Sequence, residues 1–268
     1  MEKKICVITG GGSGMGLSTA SLMGKTHYII ICGRTVNKLE SAVERLQAEG
    51  VECEAFPCDV SDRVSVKRLA EHAAALGEVQ TVVHAAGMSP HMGTGEQIIQ
   101  VNAMGTIYVN EEFAAVMGAG GCILDVSSMS AYLAPGLVMP KRAYKYALEN
   151  QERFYRKMLR RVNLFPKKLR SSIAYVVSKN FDIWYAKKCA GVYGDKGIRV
   201  LSVSPGNFET PMGEAEKEEA LGYLKYAAIK RLGNPDEIAW LLASCADERN
   251  SYLTGTDILC DGGLVAGR

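Results

Sequence analysis

Short apolar runs, rich in valine, isoleucine and cysteine, punctuate the chain at 5–9, 28–32, 52–57, 81–84, 122–126, 199–204 and 257–260. Each is too short for an ordinary helix, and the most apolar of them, such as 28–32, fit strands buried on both faces of a sheet. Between these runs the apolar positions fall three and four apart. Over 36–48, for example, Leu39, Val43 and Leu46 form one stripe of an amphipathic helix. Strand and helix therefore alternate, the order that builds a doubly wound parallel sheet with helices on both faces, and the α/β pattern predicts one domain over 1–268.

One stretch breaks the rhythm. Between 141 and 170 there are eleven lysines and arginines and only two acids, Glu149 and Glu152. Tyr144, Ala147, Leu148, Tyr155, Met158, Leu159 and Val162 lie near helical spacing there, which predicts a basic amphipathic helix ended by Pro166. It reads as a helical insertion at about 132–170. The whole chain carries a formal charge of only +2, so the remainder is net acidic; with no binding motif beside the cluster, nucleic acid is not an expected partner.

The eight cysteines include no CxxC pair and several sit inside strand-like runs, so they read as small buried hydrophobes, with neither a disulfide framework nor a metal site expected. The apolar run before Thr9 is too short for a signal-peptide core, and nothing approaches the ~20 apolar residues of a membrane span. A cytoplasmic protein without a membrane partner is expected.

Two motifs carry chemistry. After the first strand, Thr9-Gly10-Gly11-Gly12-Ser13-Gly14-Met15-Gly16 leads into a helical pattern; Gly10, Gly14 and Gly16 allow a tight turn that presents backbone amides and a helix N-terminus to a pyrophosphate. Farther on, Tyr175-Val176-Val177-Ser178-Lys179 places a phenol and an ammonium on one helix face, and a neighbouring cation favours the phenolate. After the second strand, Gly33-Arg34 offers a guanidinium where a carboxylate would select NAD(H), which favours NADP(H), with NAD(H) the alternative.

The TGxxxGxG spacing, the Tyr-x-x-x-Lys pair and their order resemble the short-chain dehydrogenase/reductase family, a Rossmann-fold group, and the likeness extends over almost the whole chain. The resemblance implies hydride transfer between a nicotinamide cofactor and a secondary alcohol or ketone. It assigns Asn102, Ser128, Tyr175 and Lys179 to catalysis, with Tyr175 as proton donor and acceptor, Ser128 (its neighbour Ser127 the competitor) on the substrate oxygen, Lys179 on the nicotinamide ribose, and Asn102 at a helix kink in a proton relay. It also implies cofactor contacts from Gly12, Ser13 and Met15 in the glycine loop, from Asp59-Val60 at the adenine, and from Ala85-Ala86-Gly87. His84 replaces the family's usual Asn there, which puts one structural hydrogen bond in question. Pro205, Gly206, Phe208 and Thr210 match the family's loop at the nicotinamide.

Ser128 and Tyr175 are 47 positions apart, much more than is usual in the family, whereas the stretch from Gly87 to Asn102 is short. Both features resemble the bacterial 3α-hydroxysteroid dehydrogenase/carbonyl reductase subgroup and imply a steroid, bile-acid or other bulky carbonyl substrate. For the insertion, three readings stand: a solvated helix on the sheet edge, a cationic lid over an anionic substrate, or a block on the helix interface used for tetramers, leaving a homodimer. A homodimer or homotetramer is expected. Alternative functions are a 3-oxoacyl thioester reductase and a non-catalytic dinucleotide sensor; an enoyl reductase is disfavoured because that group spaces its Tyr and Lys more widely.

Overall fold

A computed structural model describes residues 4–214 and 217–268. The chain opens with strand β1 (Lys4–Thr9), helix α1 (Gly14–Met23), β2 (Tyr28–Gly33), α2 (Val36–Ala48), β3 (Cys53–Pro57), α3 (Arg63–Leu76) and β4 (Glu78–His84). A short α4 (Gly95–Ile98) runs through a π-helical stretch at Ile99–Met104 into α5 (Gly105–Val116), and β5 (Cys122–Val126) follows. Beyond it lie α6 (Ser130–Leu133), α7 (Lys141–Tyr144), α8 (Tyr146–Glu149), α9 (Gln151–Asn163) and the long α10 (Arg170–Tyr193). The chain finishes with β6 (Arg199–Pro205), α11 (Pro211–Glu214), α12 (Lys217–Tyr223), α13 (Pro235–Ala246) and β7 (Asp257–Cys260).

The strands form one parallel sheet in the order β3-β2-β1-β4-β5-β6-β7, with every predicted strand present to within three residues at either end. Order reverses between β1 and β4, so their C-terminal ends open a crevice suited to a ligand. Alternation along β1 sends Ile5 and Val7 into the core on one face and Cys6 and Ile8 into the core on the other. All eight cysteines are free thiols, seven of them buried.

The insertion differs from its prediction. The expected single helix is broken at Lys145 and Asn150 into three pieces. Asn150 caps α9 by accepting from the Arg153 amide, an arrangement that requires extended backbone at 150 and so interrupts the helix. Helix α9 stops at Asn163, ahead of Pro166, as the missing proline amide requires. Its apolar stripe, Phe154, Met158 and Val162, is fully buried against α10 and the α4 region, not laid on a sheet edge: Phe154 stacks on Phe181 with centroids 4.5 Å apart. Val162 also reaches Gly95, where a side chain would meet it at 3.0 Å.

Candidate active site

The glycine loop turns because Gly10 and Gly14 adopt positive φ (70° and 54°), which costs a residue with a Cβ dearly. A Cβ on Gly16 would lie 2.5 Å from the Gly10 carbonyl oxygen, so the loop folds back on its own helix only with glycine there. The Ser13 side chain does not cap α1 and the first turn holds no acid, leaving the positive end of the helix to an anion. This terminus borders a cavity of about 240 Å³ lined by Gly12, Arg34, Asp59, Val60, Ala86 and Gly87, among others. The donor set and the close glycine backbone fit a dinucleotide. Thr35 and Lys38 also line the cavity beside Arg34 and were not singled out by the motif, which stops at the first residue past β2.

A second cavity of about 960 Å³ adjoins the first, and Met15, Thr210, Pro211 and Met212 belong to both walls. Ser128, Tyr175, Pro205, Gly206 and Phe208 line it. Ser127 and Ser128 both border the cavity, but Ser127 is buried and commits its hydroxyl proton to the Lys179 carbonyl at 2.7 Å, tying β5 to α10. Met129, Leu133 and Tyr223, members of one small apolar cluster, line part of the cavity beside the charged Glu209, Lys217 and Glu219 and the exposed His91 and Arg268, and no sequence motif marked these positions. None of the cations at 141–170 lines this cavity, so the lid reading of the insertion does not hold among the described residues.

Two expected site residues sit behind the cavity wall. Lys179 is 6 % exposed and donates to the Val126 carbonyl (2.8 Å) and to Asp182 Oδ2 (3.1 Å). Gly87, which lines the cofactor cavity, lies between it and this ammonium: a Cβ there would stand 3.7 Å from Lys179 Nζ. Asn102, 1 % exposed, lies in the π-helical stretch; it accepts from the Met88 amide (2.8 Å) and donates to the Met88 carbonyl (3.0 Å), fixing the loop after β4.

The His84 substitution is absorbed locally. Its Nδ1 is hydrogen-bonded to Thr9 Oγ1 (2.8 Å), which accepts from the Ala86 amide (3.0 Å), so the strand end stays pinned. Burial, and then the Lys179 charge, push His84 down to about 3, keeping it neutral. Asp125 is likewise held above the carboxylate range by burial and by Asp182. The lysine is thus the principal cation of a buried polar cluster.

With this geometry in place, comparison with known proteins fixes the class. Residues 4–151 match the family model described as short chain dehydrogenase, and 167–265 match one described as Enoyl-(Acyl carrier protein) reductase. The chain belongs to the short-chain dehydrogenase/reductase family, oxidoreductases of CH–OH or carbonyl groups. It is 31 % identical to a short-chain dehydrogenase/reductase, bsc3, of Alternaria brassicicola, over 99 % of this chain and 97 % of that one. It is 26 % identical to a cyclohexanol dehydrogenase of Acinetobacter sp. (strain SE19), over 99 % and 96 %. In fold it is similar to a short chain dehydrogenase from Burkholderia cenocepacia J2315 solved with NADP (TM-score 0.78, 24 % identity, 97 % of each chain covered).

Proposed function

We propose that this protein is an NADP(H)-preferring oxidoreductase that interconverts a secondary alcohol and a bulky, largely apolar ketone. The observation that carries the reading is the meeting of Ser128 and Tyr175 on one cavity wall with Lys179 directly behind it. NADP(H), when bound, supplies or accepts the hydride. Tyr175 donates the proton that turns a carbonyl oxygen into an alcohol and takes it back in the reverse direction. Ser128 donates a hydrogen bond to the same oxygen as charge develops there. Arg34 and Lys38, which line the dinucleotide cavity, would hold the 2′-phosphate of NADP(H), and Lys179 would hold its nicotinamide ribose.

The cavity volume and the apolar cluster lining part of it support a hydroxysteroid, bile-acid or comparable alicyclic ketone, and the cyclohexanol dehydrogenase relative points the same way. A 3-oxoacyl thioester is the second reading: the C-terminal family model's description names an acyl carrier protein, and the four-residue spacing of Tyr175 and Lys179 suits reduction of a carbonyl, which a 3-oxoacyl group offers, better than of an enoyl group. The insertion lies over α10 and the α4 region, which favours a homodimer over a tetramer.

The test is initial-rate NADPH oxidation with cyclic ketones, oxo-steroids and acetoacetyl thioesters, for the wild type and Tyr175→Phe. Turnover of the ketones, reduced about 10²–10⁴-fold in the variant with NADPH binding intact, is expected. Turnover of thioesters alone would select the second reading, and an undiminished variant would remove Tyr175 from the proton transfer.

A further inference from the structure

Beneath Lys179 lies a carboxylate that the proposed reaction does not use. Asp182, one turn along α10, is 1 % exposed and receives Lys179 Nζ at 3.1 Å; its other oxygen lies 3.2 Å from Thr106 Oγ1 of α5. The Thr106 hydroxyl in turn donates to the Asn102 carbonyl at 2.6 Å, so Lys179, Asp182, Thr106 and Asn102 form one continuous buried chain. A buried carboxylate is costly to retain unless it is paired, and this pair fixes the lysine in place four residues along α10 from Tyr175.

We infer that Asp182 is a positioning residue that holds Lys179 and offsets part of its positive field at Tyr175, so that carbonyl reduction persists to higher pH. The inference rests on the proposed roles of Tyr175 and Lys179. Its sign follows from electrostatics. A negative charge beside the Tyr175–Lys179 pair favours the pair's protonated form, and reduction requires Tyr175 to carry its proton. The other charged or titratable groups around Asp182 act as follows. Asp257 of β7 adds negative charge, raising Asp182. Asp125 of β5 is raised well above the usual carboxylate range by burial and then by Asp182, and Tyr144 of α7 is kept neutral by burial and by Asp182 itself. His84 of β4 is neutral beside Lys179. Asp182 is pushed up to about 6 by burial, against the opposing pull of Lys179 and Thr106, and so carries its negative charge above neutral pH.

Two readouts test this with Asp182→Asn, which keeps the shape and the hydrogen bond to Thr106. One is the ultraviolet tyrosinate absorbance of the cofactor-free protein against pH, taken as the difference from the matching Tyr175→Phe protein. The other is the pH profile of kcat/KM for ketone reduction. Both midpoints are expected to move down by on the order of one pH unit. Thr106→Val, which disturbs the same chain but leaves the carboxylate, is expected to move them far less. Unchanged midpoints in Asp182→Asn, or equal shifts in both variants, overturn the inference. The absorbance titration needs neither substrate nor cofactor, so absent turnover would count against the proposed reaction alone. Should Asp182→Asn prove insoluble, Asp182→Ser reads the same downward shift.

Discussion

Helix α10 has two sides made by different physics. One bears Tyr175, which lines a cavity, and the buried Lys179 and Asp182, held by directional bonds behind it. The opposite side bears Val177, Phe181 and Trp184, over which the insertion packs: Tyr144 meets Phe181 edge-on at 5.3 Å and donates to the Val177 carbonyl at 3.3 Å, while Phe154 stacks on Phe181. The basic character of the insertion is conspicuous in the sequence, yet its cations project away from the substrate cavity and its contribution comes from the apolar stripe. The charge run is conspicuous yet borders no cavity, whereas Ser128 and Tyr175, proposed here for catalysis, line one without any compositional signal.

The sharpest way to break this contrast is to remove the packing side alone. Phe154 is fully buried between α9 and α10, so Phe154→Ala is expected to lower stability by about 3–5 kcal/mol. Chemical denaturation would read that loss, while kcat per folded molecule stays close to wild type. A variant of full stability, or one equally stable but inactive, would mean that the two sides do not divide labour in this way.

The parts of the molecule that could be read in advance share a cause. The central strands were legible because parallel strands buried on both faces are apolar at nearly every position, as in Ile29, Ile30 and Ile31, and the partly buried edge strands β3 and β7 by their place in the alternation. The glycine loop was legible because Gly10, Gly14 and Gly16 answer to steric demands that no other residue meets. The break at Asn150 was missed although Asn is a strong helix cap, because the apolar spacing on either side of it stays in helical phase. Asp182 and the apolar cluster lining the cavity were missed for a different reason. Their importance lies in contacts between α10, α5, β5 and α12 that no spacing within one segment encodes.

A smaller effect probes the cofactor end of the polar side. Arg34 lines the dinucleotide cavity where no carboxylate competes, so Arg34→Ala removes a charge-assisted contact of about 1.5–3 kcal/mol from NADPH and little from NADH. Dissociation constants measured by nicotinamide fluorescence are expected to show NADPH weakened roughly 10–100-fold relative to NADH. Equal weakening of both would shift the phosphate contact to Lys38, whose own substitution would then carry the discrimination.

The smallest expected effect bears directly on the insertion's charge. Arg156 and Arg160 stand on the exposed side of α9, opposite Phe154, Met158 and Val162, and neither borders the cavity. Replacing both by alanine removes two solvated charges, which surface screening limits to a few tenths of a kcal/mol in stability. The informative measurement compares kcat/KM for a neutral oxo-steroid and a carboxylated one at low and moderate ionic strength. If the insertion is packing and nothing more, the double variant changes the ratio less than about twofold, because charges beyond a Debye length are screened. A selective loss on the carboxylated ketone, largest at low salt, would show that the cations steer substrate from outside the cavity and would return to them a function that their position on α9 argues against.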